Sequence, residues 1–335
     1  MTESSTVTVA PITAPEPVLR VEHVTKEFRI HGARGGKKLR AVDDVSFSIG
    51  PGETLGLVGE SGCGKSTLGR TILGIFPADN GAVYLQGQNL VGLSRRQLRP
   101  HRRQMQVVFQ DPYASLNPRM TAREVIGEPL RINGRFRPGR VEELMELVGL
   151  SPDMADRMPS HFSGGQRQRI GIARALALEP KVLILDEPVS ALDVSIQAQV
   201  VNLLKHLQED LGLSYLFIAH DLSVVRHISH RVAVMYLGKI VEIGSRDQIF
   251  GTPIHPYTKS LLSAVPVPDP FGRDDRRRIL LKGDLPDPAD PPSGCYFRTR
   301  CPRAEQLCAD DEPALVERVD QGRLSACHFA SELVS

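Results

Sequence analysis

The chain has 335 residues, of which 41% are hydrophobic and 24% are charged, and it contains no tryptophan. This length allows about two domains with a substantial core. A formal net charge of +2 gives no strong positive field, so nothing in the composition points to a nucleic-acid partner. No run of about 18 apolar residues occurs, which argues against a membrane-spanning helix.

The first segment, residues 1–17, is polar and rich in threonine and proline, and it lacks the basic and apolar regions of a secretory signal. It is predicted to be a disordered tail. Without a signal, the chain is expected in the cytoplasm, where thiols stay reduced.

Apolar runs and periodic apolar positions predict an alternation of strands and helices over residues 18–265. The predicted strands are 19–24, 44–49, 54–58, 105–109, 182–185, 215–219, 232–237 and 239–243, and the predicted helices are 65–75, 122–126, 140–148, 165–177, 196–211 and 222–229. This order predicts an α/β fold with a central parallel strand at 182–185. The mostly helical segment 111–162 interrupts the alternation and is predicted to be an inserted subdomain.

A glycine-rich segment directly follows the apolar strand 54–58 and opens the next helix. Its G-x4-G-K-S pattern is that of a phosphate-binding loop, in which backbone N–H groups and the helix dipole converge on a di- or triphosphate. Lys65 is expected to reach the β- and γ-phosphates, and the Ser66 hydroxyl to ligate Mg²⁺. The sequence therefore predicts a nucleotide site at Gly59, Glu60, Ser61, Gly62, Cys63, Gly64, Lys65, Ser66 and Thr67.

A second helix start, at Ser163, Gly164, Gly165 and Gln166, offers another anion-binding N-terminus. One phosphate does not need two such termini from one chain. The motif therefore favours two chains that face head to tail, each helix touching the nucleotide held by the other.

Two carboxylates, Asp186 and Glu187, close the apolar strand 182–185. In phosphoryl transfer an aspartate at this place holds Mg²⁺, and a neighbouring carboxylate can orient and deprotonate the attacking water.

After about residue 266 the composition changes, and residues 266–335 are predicted to form a separate module with four clustered cysteines. In a reduced compartment such a cluster suggests a metal before disulfides. The C-x2-C spacing typical of structural zinc is absent, and an all-thiolate set suits zinc or an iron–sulfur cluster. Unligated thiols, and a zinc site that includes His328, are alternatives. The cysteines are Cys295, Cys301, Cys308 and Cys327.

Together these motifs resemble the ATP-binding-cassette (ABC) ATPases, whose Leu-Ser-Gly-Gly-Gln motif appears here with Phe162 in place of leucine. The resemblance implies a RecA-like P-loop NTPase fold that binds ATP and Mg²⁺ between two subunits. It also implies that Gln110 contacts the metal and the lytic water, that His220 senses the γ-phosphate, and that Asp193 lies in the loop bridging the protomers. Phe28 is either the aromatic side chain that stacks on adenine or a core residue.

The sequence around His255-Pro256-Tyr257 and the cysteine tract resembles the C-terminal extension of dipeptide, oligopeptide and nickel importer ATPases. This implies a [4Fe-4S] cluster on the four cysteines, with zinc as the alternative. It implies an ATPase at the cytoplasmic face of the inner membrane that powers peptide import with two transmembrane permease subunits, an extracytoplasmic binding protein and a second ATPase subunit, different or identical. Segment 111–118 matches the family surface that receives a permease helix. Import of nickel or another solute, a soluble non-transport ABC ATPase, and a redox- or metal-sensing cysteine module are alternatives.

Overall fold

The computed structural model describes residues 16–30, 37–111, 115–264, 283–319 and 322–333, so most of the predicted tail at 1–17 lies outside the described residues. The strands form two sheets. They are β1 (Leu19–Arg29), β2 (Lys38–Ile49), β3 (Thr54–Val58), β4 (Asn80–Leu85), β5 (Gln88–Asn89), β6 (Met105–Val108), β7 (Val182–Asp186), β8 (Ser214–Ile218), β9 (Arg231–Tyr236), β10 (Lys239–Ser245), β11 (Val316–Glu317) and β12 (Leu324–Ser325).

The smaller sheet is antiparallel, in the order β2-β1-β4-β5, and the larger is mixed, in the order β11-β12-β10-β9-β3-β8-β7-β6. In the larger sheet β3, β7 and β8 are buried along their whole length. They pair in parallel, with Leu55 beside Leu216 and Leu185 beside Phe217. Strands that are apolar on both faces are stable only when both faces are covered. Because these strands are parallel, their carboxyl ends lie together at one edge of the sheet.

Six of the helices within the described residues correspond to predicted ones, with ends that differ by up to six residues, and the other four were not predicted. The helices are α1 (Lys65–Ile72), α2 (Arg95–Gln104), α3 (Ala122–Ile132), α4 (Arg140–Leu147), α5 (Gly164–Leu176), α6 (Val194–Leu211), α7 (Leu222–Ile228), α8 (Arg246–Gly251), α9 (Pro256–Ser263) and α10 (Gln306–Asp310). Among the described residues, no helix combines the length and apolar character that crossing a membrane requires.

The predicted helical insertion corresponds to α3 and α4, which pack against α5. Their buried faces belong to one core, which includes Ile126, Leu144 and Ile170. Thr121 starts α3 with a capping box to Glu124, in which each residue bonds the other's backbone N–H. This core joins α5, and with it Ser163, to the same body as the sheet.

The described C-terminal residues are attached directly to the larger sheet. Residues of β12 pair with β10, Glu242 opposite Ser325. Phe297 is buried against Tyr236 and Tyr257, with ring centroids 5.3 and 5.4 Å apart. These residues thus share the core of the α/β body, whereas the predicted boundary at residue 266 lies outside the described residues.

Candidate nucleotide site

The phosphate loop, residues 59–64, connects β3 to α1, and two of its glycines lie too close to neighbouring backbone atoms to carry a side chain. A Cβ atom on Gly64 would lie 2.0 Å from the carbonyl oxygen of Ala41, and one on Gly59 would lie 2.2 Å from that of Met235. Gly64 also has φ of 110°, which disfavours any residue with a Cβ. Glycine is therefore required at these two positions for the loop to keep its path.

Lys65, the first residue of α1, is buried and folds back over the loop. Its Nζ donates hydrogen bonds to the carbonyl oxygens of Gly59 and Glu60, both at 2.9 Å. Residues Ser61 to Thr67 face the cavity described below, and α1 has no acidic residue in its first turn. The ammonium group and the helix N-terminus together make a positive site for a phosphate chain.

Ser66 and Asp186 come together although 120 residues separate them in the sequence. The Ser66 hydroxyl donates to Asp186 Oδ1 at 2.7 Å. Burial raises the pKa of Asp186, and the hydrogen bond from Ser66 opposes that rise. A buried carboxylate and a hydroxyl next to a phosphate loop are hard oxygen donors of the kind that Mg²⁺ prefers, so this pair would suit that ion.

Three polar side chains follow the carboxyl ends of β6, β7 and β8. Gln110 Nε2 donates to Glu187 Oε2 at 2.7 Å, and His220 Nδ1 lies 3.2 Å from the same oxygen. Glu187 has a positive φ of 50°, and its N–H donates to the carbonyl oxygen of Ile218 at 2.9 Å. This turn aims the carboxylate at the edge of the sheet where a nucleotide would end.

These groups line a cavity of about 590 Å³ beside the phosphate loop. Phe28 lies in its wall, with its ring edge-on to Phe76 at 5.4 Å between centroids. The sequence analysis missed several other wall residues, since they carry no motif and only the fold brings them here: Leu39, Arg40, Ala41, Leu237, Gly238 and Pro288. Gly59, Glu60 and Asp186 do not line the cavity, but each is hydrogen-bonded to a residue that does.

The second predicted anion site lies elsewhere on the chain. Ser163 caps α5, where its hydroxyl accepts from the Gln166 N–H at 3.3 Å and its own N–H donates to Gln166 Oε1 at 2.9 Å. Neither Ser163 to Gln166 nor Asp193, the N-cap of α6, lines the cavity, and Ser163 and Asp193 are exposed. One chain thus presents two separate half-sites, and their meeting across two chains stays a prediction.

The four C-terminal cysteines line one small cavity of about 20 Å³. Burial raises the pKa of Cys295 to about 12 and that of Cys327 to about 11, and it raises the pKa of Cys301 as well. Each of these three sulfurs also receives a hydrogen bond from the backbone N–H two residues onward. Within the described residues, however, no three His, Cys, Asp or Glu side chains form a group that could hold a metal ion. The structure therefore gives the predicted [4Fe-4S] site no support beyond this shared cavity.

Two family patterns match the sequence. The one described as ABC transporter matches residues 42–190, and the one described as the C-terminal region of oligopeptide/dipeptide transporters matches residues 241–308. The second match begins inside β10, so it includes part of the larger sheet.

The chain is 57% identical over 302 residues to the oligopeptide transport ATP-binding protein OppF of Salmonella typhimurium, covering 89% of this chain and 90% of that one. It is 52% identical over 324 residues to the oligopeptide transport ATP-binding protein AppF of Bacillus subtilis, covering 94% and 98%. Among solved structures, the dimeric ATP-binding cassette MJ0796 with bound ADP and Pi is 29% identical, with a TM-score of 0.61 over 68% of this chain and 98% of that one.

Proposed function

Because the chain belongs to the ABC transporter ATPases of the oligopeptide/dipeptide importer type, we propose that it hydrolyses MgATP in the cavity beside α1 to drive peptide uptake through permease subunits. One observation carries this proposal. The phosphate loop with Lys65 and Ser66 lines a single cavity together with the Gln110–Glu187–His220 group, and Asp186 is hydrogen-bonded to Ser66.

Each group has a defined task in this chemistry. Lys65 and the N–H groups of α1 bind the β- and γ-phosphates, and Ser66 with Asp186 holds Mg²⁺, which offsets phosphate charge when bound. Glu187 accepts a proton from the attacking water, and Gln110 orients the Glu187 carboxylate and that water. His220 contacts the γ-phosphate beside Glu187. The Phe28 ring stacks on the adenine at the wall of the cavity.

We propose that a second ATPase completes the site by placing its own Ser163-type helix against the γ-phosphate. The exposed Ser163 N-cap, which lies outside this chain's cavity, supports the arrangement, as does the dimeric state of the related cassette with ADP and Pi. A different ATPase is the proposed partner, with a second copy of this chain as the alternative. ATP then favours the closed pair, and hydrolysis releases it.

A second cleft supports the proposed contact with the permeases. It has a volume of about 880 Å³ and lies between the end of α1, α2 and β6. Its walls include Leu73, Phe76 and Leu98, and Ile75 beside them is 49% exposed. This surface fits the apolar face of a cytoplasmic helix from a permease subunit. Of the predicted docking segment 111–118, residues 112–114 lie outside the described residues.

In the full importer, two such permeases and an extracytoplasmic binding protein would complete the complex, with this chain at the cytoplasmic face of the inner membrane. The strand β6 begins in the wall of this cleft and leads to Gln110. Movement of a docked helix would therefore be transmitted along β6 to the hydrolytic group, which consists of Gln110, Glu187 and His220.

We also propose that the cysteine cavity holds a [4Fe-4S] cluster, with zinc as the alternative. One buried and three half-buried thiols that share a cavity, with backbone N–H donors to three of the sulfurs, suit thiolates whose charge a metal would compensate. Iron, sulfide and zinc analysis of protein purified without oxygen tests this. Iron with sulfide supports the cluster, zinc alone supports the alternative, and protein that folds without either metal refutes both.

The main test is peptide uptake in cells that lack their own copy of this subunit. Lys65→Ala is expected to abolish ATP binding and uptake of a labelled oligopeptide, because the ammonium that faces the phosphates is gone. Lys181→Ala, which removes an exposed lysine outside the cavity, is the control. Uptake that persists in Lys65→Ala contradicts the proposal, and uptake of Ni²⁺ without peptide uptake identifies the nickel alternative.

A further inference from the structure

We propose that Arg300 and Tyr257 are positioning residues for the ATP site. They hold the first turn of the phosphate loop at Glu60, and through them the C-terminal residues set the affinity for ATP. The inference rests on the proposed ATP site.

The first contact is an ion pair between the cysteine tract and the phosphate loop. Arg300 Nη1 donates to Glu60 Oε2 at 2.9 Å, although 240 residues separate the two. The Arg300 side chain is 10% exposed and that of Glu60 is 27% exposed. Burial works against the charge of the guanidinium, but the hydrogen bonds and charge interactions with Glu60 and Tyr236 together outweigh it, so the pKa of Arg300 is raised. Charge-assisted hydrogen bonds of this kind are among the stronger contacts in proteins.

The second contact comes from Tyr257, within the segment that resembles importer extensions. The backbone N–H of Glu60 donates to the Tyr257 hydroxyl oxygen at 2.9 Å. The Tyr257 ring is fully buried, with centroids 4.7 Å from Tyr236 and 5.4 Å from Phe297. Its hydroxyl therefore cannot move away without repacking this aromatic cluster.

Glu60 is held at three points. Its carboxylate bonds to Arg300, its N–H to Tyr257, and its carbonyl oxygen to Lys65 Nζ at 2.9 Å. The Glu60 side chain is absent from the cavity lining. The ion pair consequently acts on the nucleotide only through the backbone of the loop and through Lys65, the residue that must reach the phosphates.

The position of Arg300 links this contact to the cysteines, since Cys301 is the next residue and lines the cysteine cavity. Any change that shifts the backbone at Cys301 moves the guanidinium. By thermodynamic linkage the effect is reciprocal, so bound ATP stabilises the backbone around Arg300 to the same extent.

The test compares ATP affinity in full-length variants. Arg300→Met and Glu60→Gln are each expected to weaken ATP binding roughly tenfold, within the usual range of coupling between sites. Arg300→Lys, which keeps the charge, should recover part of the loss. The double variant should be no weaker than either single one, because both remove the same contact. At saturating ATP the turnover of Arg300→Met should stay unchanged, so its KM rises while its kcat does not.

Glu312→Gln is the matched control. It breaks the ion pair of Glu312 with Lys239, which also joins the C-terminal residues to the sheet but does not touch the phosphate loop. This variant is expected to bind ATP as the wild type does.

Hydrogen exchange gives a readout independent of turnover. Added ATP should protect amides in residues 296–304 of the wild type and should fail to do so in Arg300→Met. Unchanged ATP affinity in a normally folded Arg300→Met, or an equal loss in Glu312→Gln, overturns the inference. Failure of the wild type to bind ATP would instead refute the proposed function.

Discussion

Replacing Glu187 with glutamine removes one negative charge from the hydrolytic group and leaves its shape nearly unchanged. The Glu187 side chain is 15% exposed, and its carboxylate accepts from Gln110 at 2.7 Å. Glutamine keeps a carbonyl oxygen for that bond, so we expect the cavity and the ATP affinity to be preserved. It cannot take a proton from water, and loss of a general base costs roughly 10²–10⁴ in rate. At about 1.36 kcal/mol per tenfold, this is about 2.7–5.4 kcal/mol of transition-state stabilisation.

The assay is phosphate release at saturating MgATP together with binding of a fluorescent ATP analogue. Glu179→Gln is a matched control, because Glu179 also has a positive φ, of 55°, but is exposed and pairs with Arg140 outside the cavity. Wild-type hydrolysis with normal binding in Glu187→Gln would place the base elsewhere. Loss of ATP binding would show that the carboxylate shapes the cavity, which contradicts the assigned role.

Three further predictions concern the fold around the site. Gly64→Ala should cost about 1–3 kcal/mol in backbone strain at a φ of 110°, in addition to the displacement of Ala41 by the new Cβ, and it should lower ATP affinity. Thermal unfolding and ATP binding measure the two effects, and normal binding would refute the tight path of the loop. His255 is fully buried, and burial lowers its pKa to about 3. Below a pH of about 6.5 the imidazole gains a proton in the unfolded chain but not in the folded one. The free energy of unfolding should therefore fall by about 1.4 kcal/mol per pH unit toward pH 3, measured relative to His255→Asn. A difference between the two proteins that stays constant with pH in urea titrations would contradict this. Phe297→Ala should destabilise the chain by about 3–5 kcal/mol in urea, whereas Phe136→Ala, at a more exposed ring, should not.

The parts of the site that the sequence predicts are those with local signals. A glycine-rich turn between an apolar strand and a helix defines the phosphate loop, and Gln110, Glu187 and His220 each follow an apolar strand. Parallel strands end at one edge, so strand-end residues far apart in sequence meet without further information. The strand ends explain why the fold brings these three residues together, whereas the roles of Gln110 and His220 came from the family resemblance.

Other features had no local signal. The basic helix α2 buries only Leu98 and contains Pro100, so its sequence shows no apolar stripe. The strand β12 has two residues, too few for a period to appear. The contact between Arg300 and Glu60 depends on how the C-terminal residues dock on the sheet, which no spacing within either segment encodes.

The pairing of β12 with β10 has a practical consequence for anyone who shortens this protein. A fragment that ends before residue 322 would expose the outer strand of a long sheet, the kind of surface that recruits further chains into aggregates. It would also leave the buried Glu242 carboxylate without the guanidinium of Arg323, which lies 3.6 Å away. The catalytic portion alone is therefore a poor choice for expression, and insolubility of such a fragment would say nothing about ATP.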